Sequence, residues 1–261
     1  MQIKQAIIYL ALSSLFFMGC ESGYTKIHSL NLTVSEAPEV HGANTTMPSH
    51  SASWRFTGKV NSSSKETVHD KFNSRSNSIN ALYSIGGTDF SGKFDFLYKV
   101  DGFIFGTGAG YNDGIYHHFT AGANLDYFEF GLFFGLYHQY ARVEYDATHC
   151  DYTYHLFTSK DEECTSEYNR EFSDIYTSPF FGAYAGLIIS KFFINYSVSV
   201  YSPSINIEDN SPDLAAITTQ YLTAGVRINK WIELSAGASI TYMNIPHWHY
   251  GFTGGISFYT P

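Results

Sequence analysis

The 261-residue chain is short of charge. Lys, Arg, Asp and Glu make up 15% of it, against roughly 25% in ordinary soluble domains. Positive charge is the scarcer kind: 15 Lys and Arg stand against 24 Asp and Glu, for a formal net charge of -9. This excludes a nucleic-acid partner, because phosphates must be neutralised by Lys and Arg. Long apolar runs are missing as well. Beyond the first twenty residues nothing approaches the roughly 20 continuous apolar residues that a spanning helix needs. Cysteine is limited to Cys20, Cys150 and Cys164. Catalytic or metal-binding motifs are not recognisable, so no catalytic, cofactor-binding or metal-ligating residue is assigned.

What the chain has in abundance is aromatic. Phe, Trp and Tyr reach 18%, with 22 Phe and 21 Tyr beside 22 Gly. In "FEFGLFFGLYHQY", Phe128, Phe130, Leu132, Phe134 and Leu136 fall on one face when every second residue is taken. Period two belongs to a β-strand. The same alternation recurs to the C-terminus. Ile194, Tyr196, Val198 and Val200 oppose Asn195, Ser197 and Ser199, while Leu222, Ala224 and Val226 oppose Arg227. A soluble sandwich turns a strongly charged face to water. Here the polar face is instead rich in Gly, Ser and Thr, which suits a packed, hydrated interior, and the apolar face suits lipid.

These features predict an all-β, antiparallel transmembrane β-barrel of about ten strands, within a range of eight to twelve. Counted back from the C-terminus, the ten begin near Ser78. The alternating segment "SASWRFTGKV" is left over, and "IHSLNLTV" is a further strand candidate. The inward polar set is Lys93, Asp95, Lys99, Glu129, Arg227 and Glu233. Small barrels fill their interior with side chains, so a wide diffusion pore is not expected.

The first twenty residues, "MQIKQAIIYLALSSLFFMGC", place Lys4 ahead of an apolar stretch and Gly19 just before Cys20. This resembles a bacterial lipoprotein leader, which implies a lipid on Cys20; the alternative is an ordinary secretory peptide. Export exposes Cys150 and Cys164 to an oxidising compartment, where they form either one disulfide or a pair of free thiols. The expected organisation is a signal peptide over 1–20, a periplasmic tether over 21–50 and a barrel over 51–261. A long acidic extracellular loop is expected at about 144–176, rich in Asp161, Glu162, Glu163, Glu167, Glu171 and Asp174.

The architecture resembles the bacterial outer-membrane β-barrel proteins, with a lipid bilayer as the surrounding partner. Omptin proteases and lipid A deacylases offer enzymatic precedents on such barrels, yet neither motif is present. His117-His118 and His247/His249 lack the further ligands a metal site requires. The first functional expectation is therefore a non-enzymatic, structural or surface-interacting protein, its acidic loop meeting an extracellular partner or a divalent cation. A narrow channel for small solutes is the alternative, and a soluble periplasmic ligand-binding barrel the third.

Overall fold

The computed structural model describes residues 22–63, 66–74, 77–86, 90–153, 161–205, 214–243 and 245–260. These residues form thirteen strands and no helix. In chain order they are β1 (Ser22–Ser35), β2 (Ser51–Ser63), β3 (Glu66–Ser74), β4 (Asn77–Gly86), β5 (Phe90–Val100), β6 (Phe103–Tyr111) and β7 (Gly114–Asn124). There follow β8 (Phe128–Thr153), β9 (Asp161–Ile189), β10 (Phe192–Tyr201), β11 (Ile217–Arg227), β12 (Ile232–Met243) and β13 (Ile245–Thr260).

Ten of the thirteen close a barrel. From β5 onward each strand pairs antiparallel with the next; β13 then returns to β2, from Gly251 opposite Ser63 to Thr260 opposite Trp54, and β2 pairs with β5. Closure leaves no barrel edge unpaired, which is what a backbone surrounded by hydrocarbon requires. The strand number matches the expectation, but its membership differs. "SASWRFTGKV" is the first barrel strand, and the segment near Ser78 lies outside as β4. Both alternate well. Alternation reports one buried face, not which sheet supplies the neighbours.

Tight turns gather at one end. Asp101 and Ser190, at the β5–β6 and β9–β10 turns, take the left-handed conformation with φ of 53° and 57°. The opposite end carries the long connections beside one tight turn, β6–β7, where Asp113 is also left-handed at φ 53°, and here the expected acidic loop proves to be ladder. β8 and β9 continue as a paired hairpin from Tyr140 opposite Ile175 to Thr153 opposite Asp161, beyond which residues 154–160 lie outside the described residues. Cys150 and Cys164 form a disulfide across it, with their Cα atoms 4.0 Å apart. β1 pairs antiparallel along the other edge of the β8 extension, from Ser22 opposite Tyr152 to Leu32 opposite Val143. β4 adds in parallel to β1, and β3 in antiparallel to β4. The result is a five-stranded sheet standing beyond one end of the barrel.

The barrel wall sorts its side chains as the alternation demands. Leu132 is 69% exposed, Phe252 68% and Phe181 62%, all on the outer face. Phe128, Phe130, Phe134 and Leu136 point outward with them. Exposed Phe103, Tyr127, Phe192 and Trp231 ring the tight-turn end, and Tyr111, Tyr140 and Trp248 the other. Two aromatic girdles around an apolar band describe a surface built for a bilayer.

Inside, aromatic rings pack over glycines. A Cβ on Gly182 would collide with the Phe133 ring, and one on Gly110 with Tyr116. At these positions only hydrogen leaves room for the inward ring. The centre of the lumen is filled by a different element, residues 36–47. Ala37, Val40, His41, Ala43, Asn44 and Met47 are all buried there. The tether expected over 21–50 is therefore corrected: it is a paired strand followed by a segment inside the barrel. Nothing in "SEAPEVHGANTTM" distinguishes a solvated linker from one whose polar groups meet a polar wall.

Candidate functional site

The lumen is the site where buried polar chemistry concentrates, and it is assembled by strands at both ends of the sequence. The inward face of β2 supplies Arg55, Thr57 and Lys59. β5 supplies Lys93, Asp95 and Lys99, β8 supplies Glu129, and β12 supplies Glu233. All of these are buried. Arg227, on β11, lies at the tight-turn end with its guanidinium 4.4 Å from the centroid of the Tyr259 ring. Of the six residues expected to face inward, five are buried and Arg227 is half-buried.

Mid-lumen, Arg55 is fully buried and forks onto one oxygen of Asp95, with Nε donating at 2.9 Å and Nη2 at 2.6 Å. Its Nη1 donates to the backbone oxygen of Gly42 at 2.5 Å. One guanidinium therefore ties two wall strands to the lumenal segment. The other oxygen of Asp95 lies 3.4 Å from Nε2 of His118. His117, the neighbouring ring, faces outward. Nearer the hairpin end, Lys59 pairs with Glu39 of the lumenal segment, and Glu39 also accepts from Thr223 Oγ1 at 3.0 Å.

At the tight-turn end the segment bends. Asn44 adopts a left-handed conformation, φ 59°, which Asn tolerates better than most residues. The bend aims two consecutive backbone N–H groups at Glu129: Ala43 donates to one carboxylate oxygen at 2.8 Å and Asn44 to the other at 3.1 Å. Successive amides converging on one anion form a nest, here with the anion supplied by the wall. The Asn44 amide donates to Glu233 at 3.0 Å, and Tyr259 donates to the other Glu233 oxygen at 2.6 Å. Asn124 accepts from Met47 N at 2.9 Å and donates to Thr45 O at 2.9 Å. Toward the hairpin end Thr219 accepts from Ala37 N, while Tyr221 donates to Ala37 O and Tyr201 to Ser35 O.

The arrangement has one chemical consequence. The lumenal segment makes no strand ladder with the wall; several of its backbone groups are instead met by wall side chains. Charge-assisted hydrogen bonds of this kind contribute about 1.5–3 kcal/mol each, and they hold only while the partners stay in register.

Sequence reasoning passed over Arg55 and Lys59 as site residues, although their strand alternates visibly. It also missed Glu36, Glu39 and His41, for which no local signal exists. The acidic residues of the hairpin behave differently. β9 spreads Glu163, Glu167 and Glu171 along an extended strand, and Glu171 pairs with Arg142. Hydrogen bonds from Ser29 and Asn169 hold the Asp146 carboxyl below its usual range. Among the described residues no three His, Cys, Asp or Glu side chains gather to hold a cation. Rise along a strand, ~3.3 Å per residue, keeps same-face carboxylates far apart. His249 is buried in the lumen, and the side chain of His247 lies outside the described residues.

Fold and lumen together define a closed, ten-stranded antiparallel β-barrel of the outer-membrane kind. Solved structures with this resemblance include an outer-membrane channel from Pseudomonas putida F1, at 9% identity and a TM-score of 0.40, covering 85% of this chain and 99% of that one. The translocator domain of the autotransporter NalP from Neisseria meningitidis has 7% identity and a TM-score of 0.35, covering 80% and 88%. The P. putida toluene transporter TodX has 7% identity and a TM-score of 0.31, covering 82% and 90%. No protein-family model matches the sequence, and no curated protein matches it.

Proposed function

We propose that this chain is an outer-membrane protein whose lumen is a narrow passage for small solutes, held shut by its own residues 36–47. The observation that carries this reading is the attachment of that segment. It makes no strand pairing with the wall, where Arg55, Lys59, Lys93, Asp95, Glu129 and Glu233 are buried, and it is held by wall side chains through hydrogen bonds, an ion pair and apolar contacts. Displacing it would uncover a charged, water-compatible lumen without breaking any strand pair of the barrel wall. Ten strands make it narrow.

The test is planar-bilayer recording of the full-length protein and of a form lacking residues 22–47. The full-length barrel should be mostly silent and the shortened one should show discrete, stable openings. A shortened barrel that still migrates as a folded, heat-modifiable species yet never conducts would end the channel reading. Membrane residence is checked separately. Leu132→Arg, on the outer face, should cost about 2–4 kcal/mol and block assembly, whereas Leu132→Phe should assemble normally.

The second reading is surface interaction, favoured by the five-stranded sheet beyond the barrel and its disulfide. Replacing Thr148 to Ser166 by a short Gly-Ser turn should abolish partner binding while leaving the barrel folded. Lipid attachment at Cys20 belongs to the same proposal, since β1 begins at the hairpin end with Ser22 opposite Tyr152. Cys20→Ser should remove labelling by a fatty-acid analogue; wild-type protein that never labels would reduce the leader to an ordinary secretory signal.

A further inference from the structure

The outer wall of the barrel is not uniform. Between the two aromatic girdles its described outward positions carry no Lys, Arg, Asp or Glu. They do carry two histidines, and the two are neighbours. His117 on β7 stands opposite Leu136, and His138 on β8 opposite Ile115, so the rings meet diagonally on one face. Their centroids are 5.6 Å apart and the rings stack at 27°. Nδ1 of His138 lies 2.8 Å from Thr177 Oγ1, while no hydrogen-bond partner meets the His117 ring among the described residues. An imidazole carries at least one N–H donor, and at the edge of hydrocarbon an unanswered donor is costly.

The same strands shape the wall below the pair. Phe105, Phe119, Leu132, Phe134 and Phe181 surround Ala121, whose small side chain leaves an apolar depression of about 660 Å³. Ala121 lies between Phe105 and Leu132 in the ladder, and Leu132 faces a second small residue, Ala183. Outward positions on β8 then run Leu132, Phe134, Leu136, His138 and Tyr140, from apolar to polar. Leu132 to His138 spans about 20 Å of strand at ~3.3 Å per residue. On a strand tilted by roughly 40° this is a depth of about 15 Å, half of a ~30 Å hydrocarbon core. Depression and histidines are therefore spaced like the chain and the head of a lipid in one leaflet. A metal ion would need further ligands, and among the described residues no third His, Cys, Asp or Glu joins the pair. A phosphate needs only the N–H donors that two imidazoles present.

We infer that the wall from β6 to β9 binds one phosphate-bearing lipid of the leaflet on the hairpin side. Its phosphate sits on His117 and His138, and an acyl chain fills the depression over Ala121. This rests on the wall facing a bilayer and not on conduction through the lumen.

The test uses full-length protein refolded in octyl glucoside, a detergent without phosphate. It is titrated with dilauroyl phosphatidic acid and with dilauroylglycerol, and bound lipid is counted by native mass spectrometry. One phosphatidic acid should be retained per barrel, saturably and at least tenfold more tightly than the diacylglycerol. His117→Phe combined with His138→Phe should weaken it at least tenfold. Ala121→Trp, which fills the depression, should weaken both lipids, and Leu234→Trp, across the barrel, should change neither. Heat-modifiable migration shows which variants keep an intact barrel; His117→Leu with His138→Leu, and Ala121→Leu, replace any that do not. Equal retention of the two lipids, or phosphatidic acid affinity unchanged in the folded variants, would reduce the site to ordinary boundary lipid and overturn the inference. Displacement by millimolar inorganic phosphate would overturn it in favour of a plain anion site. Retention that requires added zinc would overturn it in favour of a metal site. None of these outcomes bears on bilayer conductance, so this inference and the channel reading fail separately.

Discussion

Residues 22–35 and 36–47 are continuous in sequence, yet they meet the rest of the molecule by different physics. The first stretch is β1, held between β8 and β4 by ladder hydrogen bonds that any side chain permits. Its specificity comes from an apolar face: Ile27, Leu30, Leu32 and Val34 pack in one cluster with Tyr83, Ile85, Val143 and Tyr145. The second stretch has no ladder. Its backbone groups at Ala37, Gly42, Ala43 and Asn44 depend on single wall side chains, those of Thr219, Arg55 and Glu129. A ladder spreads its dependence over many residues. A side-chain cradle concentrates it in a few, and so should break at single positions.

The contrast is broken most forcefully at Glu129. Glu129→Ala leaves the backbone donors of Ala43 and Asn44 without their acceptor and removes one of the two acceptors of the Asn124 amide, at roughly 1–3 kcal/mol for each unsatisfied backbone donor. The expected result is a large loss of thermal stability and new proteolysis within 36–47, with β1 still protected. Equal loss of protection in both stretches would show that they unfold as one unit.

Next in size is the disulfide. Its sequence separation is 14, and a ring of about 15 residues restricts the unfolded chain by roughly 3 kcal/mol in the chain-entropy model. Cys150→Ser with Cys164→Ser should raise proteolysis in the hairpin and in the first residues of β1, which pair beside it. Residues 36–47 should stay protected. Exposure of the lumenal segment in this variant would mean that the outer sheet holds it in place.

Gly42→Val comes third. A Cβ at residue 42 would press on the Glu129 carboxylate and the Tyr184 ring, 2.7 Å from Glu129 Cδ and 2.8 Å from Tyr184 Cε2. Overpacking of this kind costs about 1–3 kcal/mol, and in conductance recordings it should raise the frequency of openings. The smallest effect belongs to β1: Thr33→Ala, on its exposed face, should change stability by no more than about 0.5 kcal/mol, because the ladder remains. A cost comparable to that of Gly42→Val would erase the distinction between the two stretches.

Much of the wall was readable in advance for a simple reason. A strand with lipid on one side and a packed lumen on the other must alternate, and Phe128 to Leu136 does so with residues too large and too apolar for water. Lys93, Asp95, Lys99, Glu129 and Glu233 were legible as inward by the same parity. The partners of these charges were not legible. Glu129 is answered by the amides of Ala43 and Asn44, more than eighty residues away, and amides carry no sequence signature. The hairpin misled through composition. A polar, acidic stretch resembles a loop, but strands that stand in water need no apolar run once their backbones are paired.

What the sequence determined by itself is the alternation, and with it an all-β barrel whose outer face is apolar and whose inner face is polar. Period two and the chemistry of the two faces are local properties, set residue by residue. Which alternating segments join the barrel was decided only in three dimensions, because β2 and β4 alternate equally well and differ only in their neighbours. The course of residues 36–47 through the lumen was decided there too. A segment with no pattern of its own takes its conformation from the donors and acceptors of the wall around it, and those come together only when the barrel closes.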